Sequence, residues 1–253
     1  MNVFNVGGKL KKILLLSAGI DSVCTLANIY DDADYFVYVH MGLPYQVTEL
    51  KKAEKILLHF SEKFKLNLID KFFPIYHDLY DFLEDADKVF IPYRNLLLIL
   101  TALKYFHNDD LSILIGNTID DRVHDNSKIF IDQSNKFFKA TYDKRVSVGS
   151  LFSNYSKISM VRETIKTTKI DENDVEKLTF SCFNPIQNKE CLSCNACFRK
   201  NVILYELGIF RPFYNSEILQ YYAGNLNELS YDRKKTTKKY LERLSLKSLT
   251  RSI

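Results

Sequence analysis

Two hydrophobic periods take turns along the first half of this chain. Residues 11–17 form a short apolar run ending in a Ser-Ala-Gly turn, and helix formers follow over residues 22–30. The pattern predicts strand, tight loop, helix. Tyr35–His40 is β-branched and aromatic and predicts a second strand. Between Val47 and Phe64, apolar residues at Leu50, Ala53, Ile56, Leu57 and Phe60 follow a helical period. Residues 67–71 predict a third short strand, followed by a loop around Pro74 and an acidic stretch around Glu84. Residues 91–93 read as extended chain and residues 95–106 as helix. Residues 111–116 are a nearly continuous apolar run ending on Gly116, as in a strand buried on both faces.

Strands alternating with helices predict an α/β fold, a doubly wound parallel sheet of the Rossmann-like kind. Ligands bind such sheets at the carboxyl ends of the strands, so the loops after Leu16, His40 and Ile115 should converge on one crevice. Residues 117–135 are polar and predict a mobile loop over it. From Asp171 onward the pattern is helical around a cysteine-rich segment and ends in a basic helical tail. The expected organisation is an α/β domain over residues 1–170 and a helical region over residues 171–253. No internal repeat is visible.

Composition narrows the function classes. Of 253 residues, 46% are hydrophobic and 26% charged, a globular balance, and 18 Phe with 16 Tyr supply core material. Apolar stretches such as residues 96–100 are too short to cross a bilayer. Asp21 interrupts the apolar run after Lys11 and Lys12, so no signal peptide is expected and the setting reads as cytoplasmic. The net charge of +4 is unevenly placed. From position 233 onward there are eight basic residues (Arg233, Lys234, Lys235, Lys238, Lys239, Arg243, Lys247, Arg251) against Glu242, a surplus of +7 that leaves −3 on the rest. A body of that sign is a poor nucleic-acid platform. The tail charges read as a solvated helix face, with an acidic partner or RNA as the sharper alternative.

The first chemical constellation is Ser17, Ala18, Gly19, Ile20, Asp21 and Ser22, after a strand and opening a helix. Small residues let the backbone approach an anion, the helix start aims N–H groups at it, and two hydroxyls add donors. An ordinary capped helix start would use the same residue types. The second constellation is Cys182, Cys191, Cys194 and Cys197. Four thiolates with two C-x-x-C steps can converge on one Zn²⁺, and a four-sulfur shell leaves no open position for water, so the site would be structural. An iron–sulfur cluster shares part of the spacing. Among single residues, His40 ends a strand at the crevice and reads as a substrate contact or an ordinary hydrogen-bonded histidine. Cys24 reads as packed inside.

The first constellation resembles the S-G-G-x-D-S pyrophosphate loop of the PP-loop ATPases, with Ala18 where that superfamily usually has glycine. If the position required positive φ, alanine would cost about 1–2 kcal/mol. Together with residues 91–95 (Ile-Pro-Tyr-Arg-Asn) and the run from Ser181-Cys182-Phe183 to Cys197-Phe198-Arg199, the chain resembles the 7-cyano-7-deazaguanine synthase family over residues 11–210. That family's segments read V-P-x-R-N and S-C-Y … C-G-x-C-x-x-C-x-x-R. Gly42, Gln46 and Glu49 loosely match its Y-G-Q … E region. After Gly116 and Asn117 the chain departs from the family's S-G-Y-P-D-C-R run, which puts the substrate pocket in question and marks a diverged member.

The resemblance implies an ATP-dependent ligase that adenylates 7-carboxy-7-deazaguanine with Mg²⁺, forms an amide with ammonia, and dehydrates it to a nitrile in a second adenylation, as in queuosine biosynthesis. Leu16, Ser17, Ala18, Gly19, Ile20, Asp21, Ser22, Arg94 and Gly116 would bind ATP, with Asp21, Ser22 and Arg94 closest to the chemistry. Arg94 alone could equally be a surface salt bridge, and Asn95 only a helix cap. Asp121 and Asp125 are candidates for metal or base recognition. Two alternatives keep the fold: joining the activated deazapurine to a protein amine, as in a defence system, or modifying tRNA. The implied partners are the deazapurine acid, ATP and ammonia, and a homodimer stays open.

Overall fold

Five short strands of the described residues form one parallel sheet: β1 (Lys11–Leu15), β2 (Tyr35–His40), β3 (Phe72–Tyr76), β4 (Leu111–Leu114) and β5 (Val146–Gly149). A computed structural model describes residues 9–77, 91, 93–121 and 124–249, with side chains to position 245. The acidic stretch around Glu84, together with Pro92, Arg122, Val123, Arg251 and the side chain of Lys247, lies outside the described residues. The strand order is β3-β2-β1-β4-β5, so the chain reverses its direction of travel across the sheet between β1 and β4. That switch point is where a doubly wound sheet opens a ligand crevice.

Alternation along the strands sorts the core into two layers. Leu14, Phe36, Tyr38 and Leu114 face one apolar cluster, and Ile13, Leu15, Val37, Val39 and Ile113 face the other. The first is covered by α1 (Ile20–Ile29), α2 (Gln46–Phe64), α5 (Lys157–Thr167), α6 (Glu172–Leu178) and α7 (Asn195–Glu206). The second is covered by α3 (Arg94–Tyr105) and α4 (Lys128–Thr141). Helices on both faces explain why the strands read as apolar runs.

Two expectations are corrected. The third strand is not at residues 67–71, where Ile69–Lys71 is a 3₁₀ turn, but at Phe72–Tyr76, with Pro74 inside it. β3 lies at the sheet edge and pairs only with β2, so the missing N–H of Pro74 leaves no gap in an inner ladder. Residues 117–135 are not one loop. A 3₁₀ turn occupies His124–Asn126, and α4 begins at Lys128 with the Ser127 hydroxyl accepting from the Phe130 N–H at 3.1 Å. Ile131, Ser134 and Phe138 bury the inner face of α4 and Asn135 pairs with the Val148 backbone, while Lys128, Gln133, Lys136 and Lys139 face outward and give the segment its loop-like composition.

The first cluster continues past position 170 without a break, through Val175, Phe180, Phe198 and Leu204 to Tyr240. Tyr240 belongs to α9 (Tyr231–Leu249), which follows α8 (Ser216–Gly224). The basic tail is therefore a packed helix: Thr236, Thr237 and Tyr240 are buried, and Lys234, Lys235, Lys238, Lys239 and Arg243 line its exposed side. The Tyr240 hydroxyl donates to the Arg211 carbonyl at 2.7 Å and accepts from Asn201 at 3.1 Å.

Candidate active site and cysteine centre

The bend at residues 17–22 sits at the carboxyl end of β1. Gly19 caps α1 with extended backbone (φ −67°, ψ 157°) and no side chain accepts from the first turn. The first-turn N–H groups of a helix have no intrahelical acceptor, so this end is suited to an anion. The ordinary capped start is thus not the arrangement found: Asp21 turns away to Lys157. The Ser17 and Ser22 hydroxyls lie 3.0 Å apart, and Ser22 also donates to the Gly19 carbonyl at 3.1 Å.

Ala18 is not at positive φ, so the conditional penalty does not arise. Its methyl is fully buried in the first cluster, and its carbonyl accepts from the Phe180 N–H at 2.7 Å. Leu16 and Ile20 are buried on either side of it. Gly116 is constrained by contact rather than by dihedral: a Cβ there would lie 3.0 Å from the Asp21 carbonyl carbon and from the Ser22 nitrogen. The end of β4 therefore presses on the first turn of α1, and only glycine lets them meet.

Two adjoining cavities flank the bend, of about 270 and 230 Å³. Both touch Ser17, Gly19, Asp21, Glu49, Arg94 and Asp121. The larger runs over the ends of β1, β2 and β4, with Leu15, Val39 and Ile115 as an apolar floor. The smaller extends toward Lys157, Phe183 and Arg199 and reaches Cys182. Each lies near or below the lower end of the range for small-molecule pockets, so the pair reads as one divided site.

The charges of this site were only partly visible in the sequence. Lys157, at the start of α5, contacts Asp21 and lies 3.0 Å from Asp121. Burial pushes Asp21 above the usual carboxylate range, Lys157 opposes the rise and Asp121 adds to it. For Lys157, burial works against the ammonium, but the two carboxylates outweigh it and raise its pKa. Asp21 Oδ1 is buried without a hydrogen-bond partner. Arg94, the first residue of α3, makes no salt bridge among the described residues. It is half-buried, its Nε has no partner, and although burial disfavours its charge, Tyr45, Glu49, Tyr38 and Asp125 raise its pKa. Burial also pushes Glu49 upward, against Arg94 and the 2.9 Å hydrogen bond donated by Tyr38.

Gln46, Asn95 and Asp125 line the larger cavity and also brace the loops around it. Gln46 accepts from the Met41 and Leu43 N–H groups and donates to the Val39 carbonyl, closing the turn after β2. Asn95 is not the cap of α3; Tyr93 is, at φ 57°. Asp125 accepts from the Asn95 N–H at 2.8 Å through Oδ2, and its Oδ1 is buried without a partner. His40 accepts from the Gly42 N–H at 3.2 Å and lies beside the Tyr76 ring. Cys24 is fully buried, which pushes its thiol up to about 12.

The thiols of Cys182, Cys191, Cys194 and Cys197 lie within 4.8 Å of one another, and none forms a disulfide. The edge of a Zn–S tetrahedron with 2.3 Å bonds is about 3.8 Å. The Cys191 and Cys197 sulfurs are 3.9 Å apart, so the donor set fits one zinc ion. A two-residue turn links Cys182 to Cys191: Ile186 and Lys189 exchange both backbone hydrogen bonds at 2.9 Å around Gln187 and Asn188, both at positive φ.

Lys157, Arg199 and Lys200 add cations to the lining of the smaller cavity, and none of them stands out as a site residue in the sequence. Arg199 stood at the last position of the cysteine run, and that place was its signal. Lys157 had none, because its partner Asp21 is 136 residues away in sequence.

The family model of queuosine biosynthesis protein QueC matches residues 11–207. A 7-cyano-7-deazaguanine synthase of Rickettsia felis is 26% identical over 219 residues, covering 76% of this chain and 95% of that protein. No helix among the described residues is long and apolar enough to cross a membrane.

Proposed function

This chain belongs to the QueC family, and from that premise we propose that it uses ATP to activate the carboxylate of 7-carboxy-7-deazaguanine or a closely related base and joins it to ammonia. The observation that carries the reading is the shared wall: the bend at residues 17–22 separates two cavities, so a polyphosphate held there faces ligands on both sides. A carboxylate is a poor electrophile. Its oxygen attacks the α-phosphorus of ATP, pyrophosphate leaves, and the acid becomes an acyl-AMP. The amine nitrogen then attacks the carbonyl carbon, AMP leaves with the bond electrons, and a proton is lost to give the amide. A second adenylation on the amide oxygen, followed by loss of AMP and protons, gives the nitrile.

In this reading Ser17, Gly19, Asp21 and Ser22 hold the triphosphate, while Leu16, Ala18 and Ile20 fix the bend from beneath. Gly116 lets β4 press it into place. Arg94 contacts nucleotide or acid through a planar fork suited to bidentate recognition. Lys157 and Arg199 face the same polyphosphate, where preorganised cations act on developing charge. Mg²⁺ neutralises phosphate charge when bound, and Asp21 and Asp121 are the carboxylates that would hold it, with Asp21 Oδ1 spare. The four cysteines hold Zn²⁺ as a closed structural site.

The test is incubation with ATP, Mg²⁺, ammonia and 7-carboxy-7-deazaguanine, followed by mass spectrometry of base and nucleotide. Nitrile with AMP is expected, amide with AMP would stop the sequence at its first half, and absence of AMP would refute the reading. A second reading, transfer to a protein amine, is favoured by one observation. Residues beyond the family match, among them Tyr222 and Arg233, build a third cavity of about 120 Å³ against Asp121 and Arg199. A mass increase on an acceptor protein in place of amide would support it.

A further inference from the structure

Behind the bend, at the wall of the smaller cavity that Lys200 helps to line, lies an ion pair. Lys200, on α7, is 2% exposed and Glu190 is 7% exposed. The Lys200 ammonium donates to Glu190 Oε1 at 3.0 Å, to Oε2 at 3.1 Å, and to the Thr179 carbonyl. Glu190 Oε1 also accepts from the Ser181 N–H at 2.9 Å, and Oε2 from Arg211 at 2.6 Å. The pair therefore grips the chain immediately before and immediately after Phe180. Phe180 is the residue whose N–H holds the Ala18 carbonyl at 2.7 Å. A thiol stands near both partners: Glu190 precedes Cys191, and Lys200 follows Cys197 by one helical turn.

A buried ion pair contributes little net stability over an apolar pair of the same volume, because desolvation offsets the attraction. Its energetic return is therefore small, and its geometric effect is large. It holds Thr179 and Ser181, the residues on either side of Phe180, whose N–H donates to the Ala18 carbonyl.

We propose that Lys200 and Glu190 are positioning residues for the nucleotide: together they strap residues 179–181 to the cysteine centre, and through Phe180 and Ala18 they aim the bend at the polyphosphate. Neither touches the reacting atoms in this role. The inference rests on the reading of the bend as the triphosphate site.

The test uses the full-length, metal-loaded protein and a non-hydrolysable ATP analogue. In the doubly substituted Lys200→Met, Glu190→Leu protein, the metal content at the cysteines should stay close to wild type, while the melting temperature should fall by several degrees because Arg211, the Thr179 carbonyl and the Ser181 N–H lose their partners. The analogue Kd should rise about tenfold, about 1.4 kcal/mol. In steady state, KM for ATP should rise by a similar factor and kcat should change less than twofold. Glu190→Gln, which keeps volume and one acceptor, should raise Kd about threefold, and it carries the test if the double substitution fails to fold. A folded, metal-loaded variant with wild-type Kd would overturn the strap. If the wild-type protein itself does not bind the analogue, the bend reading fails, and the strap with it. If the wild type binds and both variants match it, only the strap fails.

Discussion

The bend and the cysteine centre are neighbours, yet their backbones are built in opposite ways. None of residues 17–22 is at positive φ, and the bend follows from a parallel strand passing into a helix. Between Cys182 and Cys194, by contrast, Gln187, Asn188 and Leu192 all sit at positive φ, near 48°, 62° and 56°. For Gln187 and Leu192 this costs on the order of 1–2 kcal/mol each, while asparagine tolerates the region more readily. The bend is thus a relaxed conformation with a polar atom to spare, Asp21 Oδ1. The cysteine segment is a strained conformation whose four sulfurs already point at one place. A relaxed site can wait for a transient ligand, whereas a strained one with four converging sulfurs is suited to a resident ion.

The largest expected effect follows from that difference. Replacing Cys194 by Ser, or stripping the metal with a chelator, should release the strained segment and expose part of the first core cluster, which includes Cys182, Cys194 and Cys197. Structural zinc sites contribute on the order of 10 kcal/mol to folding, so soluble yield and melting temperature should fall sharply. Thiol alkylation sharpens the readout. After chelation at pH 8 four cysteines should react and Cys24 should not: with its thiol pushed up to about 12 by burial, only about one molecule in ten thousand is thiolate at that pH. Full alkylation of Cys24 under conditions that leave β1 and α1 folded would break the contrast.

The next effect tests the bend. Lys157 is the cation between Asp21 and Asp121, with its side chain 18% exposed. Lys157→Met should lower the adenylation rate by about 10²–10³, the usual loss when one preorganised donor is removed. The cysteine-bound metal should be unaffected. A variant that loses metal and activity together would mean that the two regions are one structural unit rather than two.

How far each region could be read from the sequence follows the same division. The cysteines announce themselves because ligand spacing is a local property, and the strand-bend-helix at residues 11–30 is equally local. Lys157 is invisible until the sheet brings residues 136 positions apart together. Pro74 misled for a different reason: proline argues against an inner strand, and only the strand order shows that β3 is at the edge. In α4, outward-facing Lys and Gln residues outnumber the buried positions, so a packed helix has the composition of a loop. The resemblance located Ala18, but only the backbone shows that it carries no strain.

A smaller effect is expected at Gly116. Alanine there must displace either β4 or the first turn of α1, since its Cβ would approach backbone atoms at 3.0 Å. Overpacking of this kind costs about 1–3 kcal/mol. KM for ATP should rise about tenfold while metal content stays constant. An unchanged KM would show that the bend tolerates a shift, contrary to its role as a fixed cradle.

The smallest effect concerns the basic helix, and it separates a small-molecule enzyme from a nucleic-acid platform. Truncating α9 would be a poor test, because Thr236, Thr237 and Tyr240 are buried and the loss would unsettle α7 and the cysteine segment it carries. Replacing Lys235, Lys238 and Lys239 by Gln removes only exposed charge. If those lysines grip RNA phosphates, each contact removed should reduce the slope of log affinity against log salt by nearly one. If they are a solvated face, RNA binding should be weak in both proteins and KM for ATP should change less than twofold. The second outcome is expected, because the body beneath the helix is net acidic and neither cavity that shares the bend is lined by any of these three lysines. A steep salt slope that flattens in the substituted protein would instead place the acceptor on a nucleic acid.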